Sequence, residues 1–565
     1  MPASLDALVA THADLLERAQ RAAHDRTYFS AYDESPSPRV YGEGAAEAGQ
    51  HAYDALLGRP FDLPGHPDDG IPAGSEVSPY GPALGVTYPH AGVDALVEAA
   101  RQGLPAWQAT TPQVRASVAV EILGRINARS FEMAHAVMHT SGQAFVMAFQ
   151  AGGPNAQDRG LEATIYALAE QERHATSTIW EKPQGKRPPL RMVKEFTPVG
   201  RGIALVVACN TFPTWNSYPG LFASLVTGNA CVVKPHPGAV LPLAISVAVA
   251  REVLAEHGFD PNLVLLATEA EGELLAADLA THPAVGIIDF TGGPAFGTWL
   301  EEHCVSKQVY TEKAGVNQVL FESTDAYRAA LANLAFTLSL YSGQMCTTTQ
   351  TIYLPADGVR TDEGLRTPAE FAADLSTALD GLLGDDARAA GILGALVNDD
   401  VADRLAGQPK ESVVVESRPV AVPEWPDARV RTPLVHLADP TDRPSWTAEC
   451  FGPVSFLVPL PREQMTDVFE QVTREKGSLT AGVYSIDEAF IGGVRAAALR
   501  ACVALSENLT GGVFVNQTAA FSDFHATGGN PAANASYADG QFVAGRFRVV
   551  GIRRHAPEPA AVEGR

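Results

Sequence analysis

Between Gly202 and Gly293 the sequence alternates short, largely apolar runs with stretches of helical periodicity. The runs are "GIALVVACN", "ACVVKP", "LVLLAT" and "GIIDFTGG"; the helical stretches extend from about Tyr218 to Val226, Leu241 to His257 and Gly272 to His282. Residues apolar at consecutive positions, not at every second one, belong to strands buried on both faces, and strands joined by helices run parallel. This pattern predicts an α/β, doubly wound parallel sheet, which binds ligands beyond the carboxyl ends of its strands.

Two features fall at those ends. In "VVKPHP", Lys234 stands where it would reach the ribose of a dinucleotide, although it also reads as a solvated lysine opening a loop. In "FTGGPAFG", Phe290 to Gly297, a strand end and a Gly-Gly turn precede a helix whose free N–H groups suit a pyrophosphate. This is not the GxGxxG fingerprint and is a weak signal alone.

A chain of 565 residues, 46% hydrophobic, holds two or three domains. Residues 1–89 open helically and then, from Ser35 to His90, become rich in Pro, Gly and Asp, as an ordered wrap would be. Gly92 to Arg173 has apolar residues at helical spacing. Beyond the first sheet, "KQVYTEKAGVNQVLFE" is a strand, a turn holding Glu312, and a strand, and "YRAALANLAFTLSLYSGQ" is a helix leading to Cys346.

A formal net charge of −24 argues against nucleic-acid or anionic-membrane partners, and no apolar run approaches the ~20 residues that span a bilayer. Cysteines at 209, 231, 304, 346, 450 and 502 are too dispersed for a disulfide framework or a zinc site. The N-terminus lacks the apolar core of a signal peptide. A cytoplasmic location is expected. His135 and His139 share a helix face without a carboxylate to complete a metal site, and no metal is expected.

By itself Cys346 reads as a buried core thiol, and Glu312 as an exposed turn carboxylate. Their surroundings change this. "SGQMCTTTQ", "YTEKAGVNQVLF", "NTFPTW…SLVTGNACVVKP", "FTGGPAFG" and "AECFGPV" occur in the order of the motifs of the NAD(P)-dependent aldehyde dehydrogenases, which the sequence resembles from about residue 92 to 520. The N-terminal "YFSAYDESPSPRVYGEGAAEAG" and "ACNTFPTWNSYPG" look most like the PaaN family of phenylacetic acid degradation proteins, in the form without a fused hydratase domain.

The resemblance implies an aldehyde dehydrogenase-like α/β fold of two doubly wound parallel-sheet domains plus a β-hairpin oligomerisation arm. It implies an N-terminal extension over 1–89, a cofactor-binding domain over 90–182 and 200–311, a catalytic domain over 312–510, and oligomerisation strands at 183–199 and 541–556. It also implies Cys346 as nucleophile, Glu312 as general base, and cofactor contacts from Lys234, Thr291, Gly292, Gly293, Gly297, Glu449 and Phe451. The oxyanion amide should fall at position 211, which is threonine; Asn210 is the preferred donor and Asn216 the alternative. Pro237 replaces the acidic residue that NAD-preferring members often carry, so NADP is slightly favoured over NAD.

The expected substrate is a semialdehyde of phenylacetate or aromatic-ring catabolism, with a CoA thioester tail admissible, since "EKPQGKRPPLRMVK" supplies a basic strip. A homodimer or homotetramer is implied. A CoA-acylating dehydrogenase and a non-catalytic binding protein of the same fold remain alternatives.

Overall fold

The computed structural model describes residues 5–557 apart from 314, 517–518, 522–524 and 538. Its first sheet has the strand order Val264–Leu266, Ala230–Lys234, Ile203–Val207, Val285–Gly292, Gln308–Lys313, every pairing parallel. The first three of these strands are buried along their whole length, as continuous apolar runs require. Chain order reverses at Ile203–Val207, so a crevice opens beyond its carboxyl end.

The second sheet has seven strands, ordered Val413–Val415, Leu434–Leu437, Val454–Leu460, Thr349–Pro355, Asn317–Phe321, Thr480–Tyr484, Ala504–Glu507. Only its first pair is antiparallel. The two sheets meet where Gln308–Lys313 hands over to Asn317–Phe321. Glu312 therefore belongs to the last strand of the first sheet, two residues deeper than a domain boundary at 311/312 would place it, and the chain changes sheet after Lys313.

A third sheet joins Ser177–Gln184, Arg187–Gly200 and Phe547–His555 in antiparallel fashion. The hairpin thus begins before residue 183. Within the expected strand 541–556, the first residues instead form the helix Gly540–Ala544. That helix is locked to the first sheet by Arg546, whose guanidinium donates to both Asp289 oxygens (2.5 and 2.8 Å) and to Ser224 Oγ at 2.7 Å, all buried. Phe542 and Tyr310 pack against its planar cation.

The N-terminal residues wrap the first sheet's helices. Leu5–Asp25 is a helix whose Leu8, Leu16, Ala19, Ala22 and Ala23 face the core. Farther along, the buried Glu76 accepts hydrogen bonds from the backbone N–H groups of Val240 (2.7 Å) and Leu241 (3.0 Å), capping the helix Leu241–Glu256 from a distant segment. His139 bonds Ser78 and stacks on Tyr53, as His135 does. No helix among the described residues is long and apolar enough to cross a membrane.

Candidate active site

Cys346 follows a turn in which Tyr341, Ser342 and Gly343 all have positive φ (53°, 50° and 67°). Two consecutive non-glycine residues there are strained, at roughly 1–3 kcal/mol each, and the surroundings must hold them. Tyr341 Oη donates to Ser141 O, and Ser342 Oγ to Gly394 O at 3.1 Å. Gln344 Nε2 donates to Ala395 O (3.0 Å) while its Oε1 accepts from Val397 N (2.8 Å). A side chain at Gly343 would put its Cβ 2.3 Å from Gly452 O, so the Gly-Gln pair before the cysteine is dictated by backbone crowding and by a bridge to residues 394–397. Asn317 Nδ2 fixes the other side, donating to the carbonyls of Cys346 (2.7 Å) and Thr348 (3.0 Å).

Glu312 reaches the same point from the first sheet. Parallel pairing places it beside Thr291, at the carboxyl end of Val285–Gly292. It is 2% exposed, not an exposed turn residue. Burial pushes its carboxyl up, but the charge and hydrogen bond of His525, the charge of Arg159 and a hydrogen bond from the Cys346 thiol outweigh this and hold it below the ordinary range. Glu312 Oε1 accepts from Asn216 Nδ2 at 3.1 Å, and Oε2 lies 2.7 Å from His525 Nε2.

Two cavities converge on Cys346. One, about 680 Å³, is lined by the ends of the first sheet's strands, and Lys234, Thr291, Gly292, Gly293, Glu312, Glu449 and Phe451 all border it. The other, about 580 Å³, runs from Cys346 and His525 past Phe212, Trp215, Phe336 and Phe514 to Tyr28, Phe29 and Glu34 of the N-terminal extension.

The model of the aldehyde dehydrogenase family matches residues 86–539. The chain belongs to the aldehyde dehydrogenase family. It is 52% identical to a crystallised NAD-dependent aldehyde dehydrogenase from Burkholderia multivorans, with a TM-score of 0.96 over 98% of this chain and 100% of that one. Among curated relatives, vanillin dehydrogenase of Pseudomonas fluorescens is 24% identical over 405 residues, 70% of this chain and 77% of that one. A 1-pyrroline-5-carboxylate dehydrogenase of Bacillus licheniformis is 25% identical over 263 residues, 44% of this chain and 47% of that one. The chain spans about half the length of the first of these curated relatives, such as the last named.

Within this aldehyde dehydrogenase, three sequence expectations change. Asn210 borders the larger cavity and gives one amide hydrogen to Thr140 O at 2.9 Å, not to Glu312. Asn216, six residues on in the helix Pro213–Val226, points its amide at Glu312, while the Cys209 thiol donates to its Oδ1 at 3.9 Å. Gly297 does not border the cavity: it backs onto Lys313, whose Cγ would be 2.6 Å from any Cβ there. And although position 237 is proline, an acid does stand beside Lys234, because Glu269 Oε2 is 2.6 Å from its Nζ, both side chains nearly buried.

The larger cavity fits a nicotinamide dinucleotide. Gly293 N-caps the helix Pro294–His303 and has no atom within 4 Å of where a Cβ would sit, leaving open backbone for a pyrophosphate. Glu449, pushed up to about 7 by burial against the weaker pull of Arg404, borders the same cavity as Lys234 and Phe451. His525 and Glu269 were invisible as site residues in the sequence, whereas Asn216 stood there as the alternative to Asn210. His525 in particular lies 213 positions from Glu312 in a stretch without periodicity.

Proposed function

We propose that this aldehyde dehydrogenase oxidises a bulky, uncharged aldehyde arising in phenylacetate or aromatic-ring catabolism to its carboxylic acid, with NAD(P)+ as electron acceptor. One observation carries the reading. The smaller cavity, ending at Cys346, is walled by Phe29, Phe212, Trp215, Phe336 and Phe514, and among its described lining residues there is no lysine or arginine. Aromatic walls favour an aromatic or long apolar chain, and the absence of a cation disfavours a second carboxylate on the substrate. The relative named for vanillin, an aromatic aldehyde, agrees with this. Membership of the PaaN family rests on the N-terminal motifs.

The chemistry follows from the groups at Cys346. Its thiolate attacks the aldehyde carbon, forming a C–S bond and placing charge on the carbonyl oxygen. Asn216 has a second amide hydrogen beyond the one given to Glu312, and with the Cys346 backbone N–H it is the proposed oxyanion donor in place of Asn210. A dinucleotide held by Lys234, Thr291, Gly292, Gly293, Glu449 and Phe451 supplies the two-electron acceptor that turns the adduct into a thioester. Glu312 then takes a proton from the water that cleaves it.

NAD is favoured over NADP, reversing the lean drawn from Pro237, because the Glu269 carboxylate beside Lys234 opposes a further phosphate. A CoA-linked substrate loses support. The basic residues Lys182, Lys186, Arg187, Arg191 and Lys194 lie on the arm, and none borders either cavity. Glu312 in contact with the nucleophile's surroundings favours water over CoA as acyl acceptor, and the assembled Cys346, Glu312 and Asn216 favour turnover over mere binding. The arm's exposed Ile179, Leu190, Phe196, Val549 and Ile552 suit self-association as a homodimer or homotetramer. A nucleophilic thiol outside any disulfide suits a reducing cytoplasm.

The test is steady-state formation of reduced dinucleotide from aromatic, aliphatic and carboxylate-bearing aldehydes, with and without CoA. CoA-independent turnover of aromatic aldehydes, lost in Cys346→Ala, is expected. Preference for carboxylate-bearing aldehydes, or a strict need for CoA, overturns the reading.

A further inference from the structure

A thiol nucleophile needs its proton removed, since an ordinary cysteine near pKa 8.5 is only a few per cent thiolate at neutral pH. In this site the group closest to hand on the first sheet is Glu312, and a carboxylate beside sulfur opposes that ionisation by like charge. A group between them that can carry positive charge relieves that repulsion.

The structure provides one. His525 Nε2 is 2.7 Å from Glu312 Oε2 and 3.8 Å from Cys346 Sγ, so that imidazole, carboxylate and sulfur lie within 4.8 Å of one another. Both members of the His525–Glu312 pair are 2% exposed, so the charges are shielded from water. The position of His525 is built rather than incidental. The segment after it pairs with the strand carrying Glu312, through Asn534 N to Thr311 O (3.1 Å), Thr311 N to Asn534 Oδ1 (2.8 Å) and Lys313 N to Ala532 O (2.6 Å).

We propose that His525 is a catalytic residue, an imidazolium that holds the thiolate of Cys346 and the carboxylate of Glu312 in one charge-paired triad. This rests on the reading of Cys346 as nucleophile. In forming the triad, the Cys346 S–H bond breaks with its electron pair left on sulfur and its proton released to water, while the ring, whose Nε2–H is already given to Glu312 Oε2, takes a proton from water at Nδ1 and so carries hydrogen on both nitrogens. Nε2–H faces Oε2 and Sγ together. When water cleaves the thioester, the C–S electron pair returns to sulfur and meets the same imidazolium, so sulfur exchanges no proton during turnover. The division of labour is then clear. His525 keeps the nucleophile charged, and Glu312 is left to serve the water.

The other groups facing this cluster are the Arg159 guanidinium, whose charge acts on Glu312, and Tyr537 and the Cys209 thiol, whose ionisation the Glu312 charge opposes, with Asp158 and Glu34 farther along the smaller cavity. The experiment therefore reads sulfur directly. The rate of iodoacetamide alkylation of Cys346, followed on its own peptide by mass spectrometry, is measured against pH in the full-length protein without aldehyde or dinucleotide. In wild type the midpoint is expected below the ordinary thiol value. In His525→Gln, which retains a donor for Glu312 but no positive charge, it moves up by roughly 1–3 pH units, with a matching loss of ultraviolet thiolate absorbance relative to Cys346→Ser.

A wild-type midpoint at or above the ordinary thiol value overturns the proposal whether or not the variant folds. So does a folded His525→Gln with the wild-type profile. Neither result touches the oxidation of aldehydes, which the turnover assay judges separately.

Discussion

Asp158, on the helix Pro154–Glu172, accepts hydrogen bonds from Ser30 Oγ at 2.6 Å and from Ala31 N at 2.8 Å, and so binds the N-terminal extension to the wall of the cavity that ends at Cys346. The anchored segment carries Phe29, packed edge-on against Phe521, with the Arg18 guanidinium over its ring. The extension thus lines the smaller cavity, the proposed substrate side of the site.

Phe29→Ala is expected to raise KM for an aromatic aldehyde about tenfold with kcat nearly unchanged, since burying an aromatic ring is worth roughly 1.5–3 kcal/mol. A short aliphatic aldehyde that does not reach the ring should lose little. Steady-state kinetics on both substrates checks this.

Burial pushes the Asp158 carboxyl up to about 7, against the opposing hydrogen bonds of Ser30 and the backbone. A raised carboxyl pKa means that the folded protein holds this proton more tightly than the unfolded chain. The stabilisation is full below the ordinary aspartate value and is lost as pH rises through about 7. Asp158→Asn should flatten the Tm-versus-pH curve between about pH 4 and 7 relative to wild type, by calorimetry.

Asn216→Ala should lower kcat by about 10²–10³, the usual cost of losing one oxyanion donor, whereas Asn210→Ala should leave it within a few-fold. Pre-steady-state measurement of the first turnover distinguishes slowed attack from slowed thioester hydrolysis.

Glu269→Gln removes the charge beside Lys234 and should shift the NADP/NAD ratio of kcat/KM toward NADP by at least about tenfold. Direct dinucleotide titration by fluorescence gives the same ratio without turnover.

Arg546→Met leaves Asp289 buried without its partner and should cost about 3–5 kcal/mol, read from the urea midpoint. Replacing Asp289 by Leu in the same background should return part of that loss, because the unpaired charge is the larger penalty.

The parallel first sheet with its buried apolar runs, the cysteine after the Gly-Gln pair and the Gly-Gly turn at Gly293 were legible in the sequence. Each is a local demand: consecutive apolar residues need two buried faces, a left-handed turn needs glycine, and a helix N-terminus needs open backbone. What the residues flanking a motif cannot state is which distant side chain arrives at it. Asn216 rather than Asn210 faces Glu312 because the helix begins at Pro213 and turns that amide inward. Glu269 supplies the acid missing at position 237 because the neighbouring strand ends beside Lys234. Phe29 and His525 reach the site from opposite ends of the chain, and no periodicity marks either of them. The sequence by itself determined the elements, because those follow from interactions within a few residues, and the order of its motifs singled out Cys346 as the proposed nucleophile. Only the tertiary structure decided the nucleophile's partners, because they are set by how the packed sheets bring strand ends together.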